Sequence, residues 1–466
     1  MTLTVAFLDA LRDMFDPESV YLGKAERLAY GYDNSRRHAL PEAVVQVTTH
    51  EMAVALVRLC RAHCVPLVAR GRGSNTTGAT VPVAGGVVAS FERMNRILRI
   101  DPDNRLAVVE PGVINGDLQT ALAAHGFFWP PDPTSAPWCS VGGNLACNAG
   151  GPRTVKYGSP RENTLGLRAV AGSGEDFRCG TRTSKGSTGY DLTRLLIGSE
   201  GTLALITEAT LKLVPKPTAL RTLRATYANV EAAARAVARV MAQPVTPCAV
   251  EFMDATALKL ARSHAGDDVP EAGAMLMLEV DGEPDAINAA VAAVLWAARG
   301  DGLLELRAAA DAREARSLWA ARKALSPAQR TLSVHKINED VVVPVSRLPE
   351  LVTAIEKLAI RHRLPIVSFG HAGNGNLHVN LLPRDEAELD RSEACLRELF
   401  EQVVALEGTL SGEHGIGLAK RDFMPLALGS HTLDLMHGIK QVFDPDGILN
   451  PGKLLPCENA GKRVTE

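Results

Sequence analysis

The sequence predicts an α+β protein with more than one domain. Its 466 residues exceed what one ordinary hydrophobic core accommodates. Up to residue 215 the chain offers short strand-like runs separated by glycine-rich loops, whereas alanine-rich helices alternate with strands from residue 216 onward. Two prolines in segment 214–218 lie where the first pattern gives way to the second. We therefore expect a domain boundary in this segment and an α+β unit after it.

The first pattern opens with a predicted strand–helix–strand unit. Ala43–Val47 is typical of a strand, and Pro66–Ala69 of a second one. Between them Thr49 is predicted to cap a helix, because its hydroxyl can accept a backbone N–H of the first turn and apolar residues follow at helical spacing. Further strands are predicted between residues 86 and 111, and a short helix over Asp117–His125.

Residues 130–160 are rich in Pro, Gly, Asn and Ser, so we expect nearly all of them to form a loop. A loop of that length inside a compact domain carries many backbone polar groups that need partners. A large bound ligand would supply them.

The remaining elements follow from the same periodicities. Strands are predicted at Gly166–Ala171, Ala204–Leu213, Ala274–Val280 and Leu303–Ala308. Helices are predicted at Glu231–Met241 and Glu283–Arg299.

Composition and charge exclude several classes of function. The net charge of −3 and pI near 6.5 give no sign of a nucleic-acid surface. Aromatic residues make up only 5% of the chain, which disfavours stacking platforms for single strands. No run of about 18 apolar residues is present, so no membrane-spanning segment is expected.

The N-terminus and the cysteines bear on location. Val5, Leu8, Leu11 and Phe15 recur at helical spacing among charged residues, which predicts an amphipathic helix rather than a signal peptide. The eight cysteines lack zinc-finger or CxxC spacing and are interpreted as reduced thiols. We expect a cytoplasmic protein, and peripheral attachment to the inner membrane stays open.

Three glycine-rich loops are the first candidate binding feature: Arg70–Gly78, Ser140–Gly151 and Gly198–Thr202. Glycines let backbone N–H groups approach a pyrophosphate closely, and hydroxyls add donors. None has GxGxxG or Walker A spacing. One such loop is equally compatible with a plain surface turn, but three in one domain could enclose a long ligand, for which a dinucleotide is the natural candidate.

A histidine-rich segment is the second candidate feature. His371 and His378 are separated by glycines that make a helix improbable, so we expect a loop carrying His371 and then a strand over Leu377–Leu382. Alternation would place Leu377 toward the core, with His378 and Asn380 together on the opposite face.

Two imidazoles and a carboxylate suit a divalent metal with an open coordination position. Glu413 and His414 are adjacent in sequence, so their side chains diverge and can serve different roles. The alternative is that these are hydrogen-bonded loop residues without a metal.

The three loops, Pro131–Pro133, Tyr157–Gly158, residues 198–207 and the terminal FDPDGILNPGK resemble the FAD-binding domain of the vanillyl-alcohol oxidase and p-cresol methylhydroxylase superfamily. The resemblance extends from about residue 20 to residue 455. It implies an FAD-binding domain over 1–215, a substrate (cap) domain over 216–420 and a segment over 421–466 that returns to the flavin. Residues 69–78 contain neither His nor Cys, so FAD is expected to be noncovalent.

The resemblance implies a set of FAD contacts in the loops and at the C-terminal segment. These residues are Arg70, Gly71, Arg72, Gly73, Ser74, Asn75, Thr76, Gly78, Pro131, Asp132, Ser140, Gly142, Gly143, Asn144, Asn148, Gly150, Gly151, Tyr157, Gly158, Glu200, Gly201, Ile206 and Asn450.

Within the superfamily the histidine motifs are similar to those of FAD-linked D-2-hydroxy acid dehydrogenases. The similarity implies that His371, His378 and Glu413 bind a divalent metal, with zinc favoured and manganese or iron open. It implies His414 as the base, since imidazole exchanges protons near neutral pH. Asn374 stands where many relatives carry Asp, a departure that removes no ligand.

Substrate anchors are implied by the same similarity. Arg322 matches the family's carboxylate-binding arginine, and a guanidinium can grip a carboxylate through two bonds; a solvated helix arginine is the alternative. Ser326, Lys336 and Asn380 are further candidates. Residues 370–380 look closer to the D-2-hydroxyglutarate type and the N-terminal third to the D-lactate and glycolate type, so the acid stays open.

The expected reaction is oxidation of a small 2-hydroxy acid, with hydride passing to FAD. No cysteine spacing suits an iron–sulfur cluster, so the electron acceptor is external: a quinone, an electron-transfer flavoprotein or another carrier. A homodimer stays open. Two other functions are compatible with parts of the pattern, namely a metallohydrolase and a non-catalytic flavin-binding subunit of a larger oxidase.

Overall fold

A computed structural model of the chain describes residues 3–266, 269–329, 332–333 and 335–456. Its helices, in chain order, are α1 Val5–Met14, α2 Lys24–Leu28, α3 His50–Ala62, α4 Asn115–Ala123, α5 Val141–Cys147, α6 Thr154–Tyr157, α7 Leu192–Leu196, α8 Val230–Ala242, α9 Ala255–Ala265, α10 Ile287–Ala298, α11 Ala312–Ala328, α12 Leu348–His362, α13 Glu386–Ala405, α14 Met424–Ala427 and α15 Ser430–Phe443.

The strands are short in the first half of the chain and longer in the second. They are β1 Val20–Tyr21, β2 Ala43–Gln46, β3 Leu67–Arg70, β4 Val87–Ser90, β5 Ile97–Asp101, β6 Leu106–Val109, β7 Phe127–Phe128, β8 Thr164–Ala171, β9 Asp176–Gly180, β10 Ala204–Lys212, β11 Val214–Pro215, β12 Ala219–Tyr227, β13 Ala249–Asp254, β14 Ala274–Gly282, β15 Leu303–Ala308, β16 Ile337–Val342, β17 Ile366–His371 and β18 Asn376–Leu381.

The chain divides into two compact units. The first comprises residues 1–150, 158–216 and 413–466, and the second comprises residues 151–157 and 217–412. Within the described residues, no helix combines the length and the apolar character needed to cross a lipid bilayer.

Two sheets organise the first unit. One has the order β1-β2-β4-β3, with β2, β4 and β3 parallel, and the other is antiparallel with the order β5-β6-β10-β8-β9. The C-terminal segment joins the first sheet, because Leu67 donates its N–H to the Ile448 carbonyl at 2.8 Å and Asn450 donates to the Leu67 carbonyl at 2.8 Å. Ile448 and Leu449 are buried in the core of that sheet. The segment is therefore part of the first unit's core.

One antiparallel sheet organises the second unit, in the order β15-β12-β14-β13-β17-β18-β16. Helices α9 and α11 pack on one face, where Met253, Met275 and Met277 belong to a buried cluster with residues of both helices. Helices α8 and α10 pack on the opposite face against β12 and β14. Because both faces are covered, charged side chains inside this sheet must find partners there.

Most predicted elements are confirmed within a few residues. Thr49 caps α3 through its hydroxyl, which accepts the Met52 N–H at 3.1 Å. The prediction that residues 130–160 are nearly all loop is wrong, since α5 and α6 lie inside this range. The reason is local: the Ser140 side chain caps α5 by accepting the Gly143 N–H, and Asn148 ends it in the left-handed conformation.

The structure also corrects the prediction for the histidine-rich segment. His371 ends strand β17 rather than lying in a loop, and the next strand runs over Asn376–Leu381. All six residues of that strand are buried, so the face carrying His378 and Asn380 is covered as well as the face carrying Leu377. The sheet is packed on both sides, which the alternation along one strand does not reveal.

Candidate functional site

The first glycine-rich loop leaves backbone donors open. In the part of the chain that the structure describes, no group accepts the N–H of Arg72, Gly73, Ser74 or Thr76, and the buried Thr76 hydroxyl also has no hydrogen-bond partner. A Cβ added at Gly71 would lie 2.3 Å from the Ser140 Oγ and would displace the hydroxyl that caps α5. The loop therefore forms a cradle of free donors, which suits phosphate oxygens.

The arginines of this loop are tied to protein groups. Arg70 is buried and donates to the carbonyls of Tyr32 at 2.6 Å and Ala29 at 3.3 Å. Arg72 pairs with Glu92 at 3.4 Å. The Arg70 side chain thus fixes the start of the loop to the backbone of residues 29 and 32.

The second loop satisfies its own donors. Val141 and Gly142 donate their N–H groups to the carbonyls of Val113 and Pro111 at 2.8 and 2.7 Å. Asn144 is buried and its Oδ1 accepts Asn115 Nδ2 at 2.9 Å. These backbone N–H groups of the second loop are therefore bonded within the protein, unlike those of the first loop. The other candidates for FAD contact in or beside the loops of the first unit are Gly78, Pro131, Asp132, Gly150, Gly158, Gly201 and Ile206.

Glu200, in the third loop, is a fully buried carboxylate that holds the segment after residue 413. It accepts the N–H of Ile416 at 2.6 Å and of Gly417 at 2.8 Å. Burial raises the pKa of Glu200 to about 7, although these N–H groups and the nearby Lys453 act in the opposite direction. Asn450 closes the arrangement by donating to the Glu200 carbonyl at 2.7 Å.

Asn75 links the first loop to His414. Its Nδ2 donates to the His414 carbonyl at 2.8 Å, while its Oδ1 accepts the N–H groups of Thr77 and Ala79 at 2.8 and 3.2 Å. The backbone of the candidate base is therefore held by a residue that the resemblance assigns to the flavin.

Two candidates for FAD contact, Gly151 and Tyr157, lie in the second unit. The Tyr157 hydroxyl donates to the Asp281 carboxylate at 2.7 Å, and Lys156 forms an ion pair with the same carboxylate. Asp281 was not predicted from the sequence.

His371 and His378 come together in the second unit because β17 and β18 are adjacent in the sheet. Their ring centroids are 5.2 Å apart, and one nitrogen of each ring lies within 4.8 Å of the other. His371 Nδ1 also contacts the Glu251 carboxylate at 2.6 Å. Because that carboxylate fixes one nitrogen, the second nitrogen of His371 is oriented for a ligand.

Glu251 is the buried residue that organises this site. It lies opposite His371 in the β13–β17 register, and its other oxygen accepts Arg322 Nε at 2.7 Å. Burial alone would raise the pKa of Glu251, but the His371 imidazole and the Arg322 guanidinium outweigh burial and lower the pKa to about 2. The Arg322 guanidinium also stacks over Phe369 at 4.6 Å. We call Glu251, Arg322, Phe369, His371 and His378 the histidine floor.

The remaining anchor candidates differ in their surroundings. Asn380 is buried and its Nδ2 donates to the carbonyls of Val367 and His378, each at 3.3 Å. Its Oδ1 has no hydrogen-bond partner among the described residues. Lys336 Nζ lies 3.2 Å from the hydroxyl of Ser326, which is exposed.

Asp340 holds the chain immediately before Glu413. It lies opposite His378 in the β16–β18 register, is fully buried, and accepts the Gly412 N–H at 2.8 Å and the Ser411 hydroxyl at 3.1 Å. Glu413 is the next residue in the chain. Like Glu251, Asp340 was missed from sequence. For Glu251 the available signal was an acidic residue between two apolar strand neighbours, Val250 and Phe252, whereas Asp340 follows Glu339 and offered no such signal.

The residues present fit both groups that the motifs imply. The free N–H groups of residues 72–76 and the Gly71 approach suit a dinucleotide pyrophosphate. Two buried imidazoles, one of them oriented by a carboxylate, suit a divalent cation.

Comparison with known proteins agrees with these features. The family described as "FAD linked oxidases, C-terminal domain" matches residues 216–454, and "FAD binding domain" matches residues 41–180. The chain is 38% identical to the glycolate oxidase subunit GlcD of Bacillus subtilis, with 96% of each chain covered. It is 36% identical to the D-lactate dehydrogenase of Anaerostipes hadrus (89% of this chain, 90% of the relative). It is 32% identical to the D-2-hydroxyglutarate dehydrogenase of Stutzerimonas stutzeri (96% and 98%).

Among solved structures, p-cresol methylhydroxylase with substrate bound superposes with a TM-score of 0.82 at 17% identity, covering 98% of both chains. The predicted fold, a two-part FAD-binding domain with an α+β cap, is confirmed by this likeness and by the family matches. The chain therefore belongs to the FAD-linked oxidases, and it is an FAD-dependent oxidoreductase.

Proposed function

We propose that this protein oxidises a small 2-hydroxy acid, in its D form where C2 is chiral, to the 2-oxo acid. The observation that carries the proposal is the Arg322–Glu251–His371 chain of contacts, with 2.7 and 2.6 Å between partners. It puts a guanidinium, which binds carboxylates, beside an imidazole oriented to bind a cation. An α-hydroxy acid presents a carboxylate next to a hydroxyl, and so matches both.

The chain's residues divide the work between binding and proton transfer. Arg322 keeps its Nε on Glu251 and directs its remaining N–H groups to the substrate carboxylate. His371, His378 and Glu413 are proposed to hold a divalent cation, which when bound supplies Lewis acidity at the C2 hydroxyl. His414 accepts the hydroxyl proton as base. FAD, held by the first glycine-rich loop, would supply the hydride acceptor for C2.

We propose that FAD is bound noncovalently and that the first loop holds its pyrophosphate. The open N–H groups of Arg72, Gly73, Ser74 and Thr76 support this. The FAD-binding domain would then be 1–215, the cap 216–420, and 421–466 the segment that completes the flavin site.

The substrate is proposed to be a monocarboxylate such as glycolate or D-lactate rather than D-2-hydroxyglutarate. A distal carboxylate needs a second hydrogen-bond donor. The Asn380 Nδ2 already donates to the Val367 and His378 carbonyls, so only its acceptor oxygen Oδ1 has no hydrogen-bond partner among the described residues. Lys336 donates hydrogen bonds to the hydroxyl and the carbonyl of Ser326 at 3.2 and 3.5 Å, so among these candidates Asn380 alone argues against a distal carboxylate. Because one relative is named D-2-hydroxyglutarate dehydrogenase, D-2-hydroxyglutarate must be tested beside the monocarboxylates.

We further propose a cytoplasmic enzyme that passes its electrons to an external carrier. The sequence has no cysteine spacing suited to an iron–sulfur cluster, so a quinone, an electron-transfer flavoprotein or another carrier must reoxidise the flavin.

The visible spectrum of the purified protein tests the function directly. We expect flavin absorbance that bleaches anaerobically with D-lactate or glycolate, more slowly with D-2-hydroxyglutarate, and not with L-lactate. Bleaching by D-2-hydroxyglutarate alone would overturn the monocarboxylate assignment. A yellow protein that no 2-hydroxy acid bleaches would overturn the reaction, and a colourless protein that hydrolyses esters or amides would indicate a metallohydrolase. Turnover unchanged after removal of metal by a chelator would exclude the cation.

A further inference from the structure

Gln329, the residue that follows α11, is a fully buried amide. Its backbone carbonyl accepts the N–H groups of Leu332 and Ser333 at 3.0 and 3.3 Å, but neither Nε2 nor Oε1 of its side chain has a hydrogen-bond partner among the described residues. A buried amide without partners is destabilising, because it has given up its bonds to water. Gln329 therefore needs either an ordered water or a bound molecule to complete its hydrogen bonds.

The position of Gln329 on its helix directs this amide toward the sheet. Gln329 comes seven residues after Arg322 and four after Leu325, a spacing that puts all three on one side of the helix. Leu325 is buried in the cluster that α11 forms with the sheet, and Arg322 is bonded to Glu251 of β13. The Gln329 side chain thus lies over the sheet, about two helical turns beyond the arginine.

Asn380 lies on the face of the sheet that α11 covers. It is directly opposite Val367 in the β17–β18 register, and Val367 is buried in one cluster with Leu325 and Ala328 of α11. Asn380 is itself fully buried, and its Oδ1 has no hydrogen-bond partner in the described parts of the chain. A second incomplete amide is therefore buried beneath the same helix.

The turn after α11 joins the regions of these two amides. The Ser333 hydroxyl donates to the carbonyl of Pro383, which comes three residues after Asn380. The same Ser333 donates its N–H to the Gln329 carbonyl. Gln329 and Asn380 are thus both tied to the end of α11 and the end of β18.

The incomplete atoms of the two amides select the chemistry of a ligand. They comprise two acceptor oxygens, one on Asn380 and one on Gln329, and a single donor nitrogen on Gln329. Exchanging the nitrogen and oxygen of Gln329 leaves this count unchanged, because both atoms are without partners. A carboxylate only accepts and would face two oxygens, and a methyl group would complete none of the three atoms. A hydroxyl both donates and accepts, so it fits the set.

We propose that Gln329 and Asn380 form a subsite for a hydroxyl group on the carbon chain of the substrate, so that the preferred substrates are 2-hydroxy monocarboxylates with a second hydroxyl at C3 or C4. This inference rests on the proposed function, which makes Arg322 the carboxylate anchor. Gln329 is about 10 Å from Arg322 along the helix axis, and Asn380 is about 7 Å from His378 along its strand. The subsite is therefore suited to a group further along the chain than C2.

Matched pairs of acids test the subsite in the FAD-loaded full chain. D-Glycerate differs from D-lactate only by a hydroxyl at C3, and (R)-2,4-dihydroxybutyrate differs from (R)-2-hydroxybutyrate only by a hydroxyl at C4. We expect kcat/KM for anaerobic flavin reduction to be at least ~10-fold higher for the hydroxylated member of one pair. In Gln329→Leu this ratio should fall to about one, because the leucine offers no hydrogen bond. Gln402→Leu, at an exposed glutamine of α13, is the control and should keep the ratio of the unaltered protein.

Thermal unfolding separates a ligand subsite from a structural amide. Gln329→Leu should raise the melting temperature of the substrate-free enzyme, since leucine has a similar volume and no polar group to leave incomplete. Hydroxypyruvate, the 2-oxo acid of D-glycerate, should raise the melting temperature of the unaltered protein more than pyruvate does. That difference should be absent in Gln329→Leu. This measurement reports binding without turnover.

The outcomes distinguish the subsite from the reaction on which it rests. If none of the four acids reduced the flavin, the proposed reaction would fail and the subsite with it. If D-lactate reduced the flavin but neither pair showed a preference for the hydroxyl, or if Gln329→Leu kept that preference, the reaction would stand and the subsite would be wrong. A lower melting temperature in Gln329→Leu with an unchanged ratio would show that an ordered water completes the amide, which would overturn the subsite.

Discussion

The histidine floor and the segment 413–417 both carry predicted catalytic groups, but they are held in different ways. In the histidine floor, the functional side chains are held by another side chain, because Glu251 contacts both His371 and Arg322 inside a sheet covered on both faces. In the segment, side chains fix backbone: Asn75 binds the His414 carbonyl, and Glu200 binds the N–H groups of Ile416 and Gly417. Changes in the floor should therefore alter the binding groups themselves, whereas changes around the segment should shift where the base is placed.

Removing the base is the change with the largest expected effect. His414→Ala should lower the rate of flavin reduction by about 10²–10⁴-fold, because no other group would accept the hydroxyl proton in its place. FAD content should stay the same, since the contacts that position this segment are made by backbone atoms. Anaerobic stopped-flow reduction by D-lactate measures the effect. His431→Ala, an exposed histidine of α15, is the control, and equal rates in both variants would remove His414 from the mechanism.

Neutralising the centre of the floor should have the next largest effect. Glu251→Gln leaves the buried Arg322 without its charge partner and removes the carboxylate that orients His371. We expect a loss of ~3–5 kcal/mol in the free energy of unfolding. Affinity for a divalent metal should fall ~10–100-fold, as measured by metal titration.

Glu279→Gln is the matched control for that change. Glu279 is a buried acid of the same sheet whose carboxylate accepts bonds from Thr222 and Trp319, away from the histidines. It should lose stability but keep metal affinity. If both variants lost metal equally, the role assigned to Glu251 would be wrong.

The comparison also shows what the sequence could and could not reveal. Within the floor, the strand carrying His378 followed from alternation and spacing, since those are local properties. Glu251, the partner of His371, lies 120 residues before it in the chain. The register of β13 on β17, which brings the two residues together, is set by the whole sheet. The glycine-rich loops were recognised as loops, but α5 was missed because its cap depends on one hydroxyl and its length is seven residues. The sequence thus predicted features that depend on neighbouring residues, but it did not predict which distant strands pair.

Disturbing the backbone contact of the base should have a moderate effect. Asn75→Asp keeps the oxygen that accepts from Thr77 and Ala79 but loses the N–H that donates to the His414 carbonyl. We expect kcat to fall ~10-fold with KM little changed, because the variant loses the part-buried hydrogen bonds from Asn75 Nδ2 to the His414 carbonyl and to the Cys147 Sγ. Asn95→Asp, where an exposed amide donates to the Glu92 carbonyl, is the control. A rise in KM with kcat unchanged would show that Asn75 serves substrate binding instead.

The last expected effect is on stability rather than on rate, and it concerns the pH dependence of the free energy of unfolding through Glu200. Its pKa is raised by burial to about 7 in the folded protein, from an ordinary value near 4.5. A carboxyl with a raised folded pKa stabilises the protein while it is protonated, and this stability is lost as pH rises from about 4.5 through 7. The free energy of unfolding of the unaltered protein should fall by ~2–3 kcal/mol between pH 5 and pH 8 from this group, whereas Glu200→Gln should lack that component. Urea denaturation at both pH values measures it, with Glu175→Gln, an exposed carboxylate, as control. Parallel pH profiles for Glu200→Gln and the unaltered protein would mean that the bonds from Ile416 and Gly417 keep Glu200 ionised throughout, so that it clamps the segment as a permanent anion.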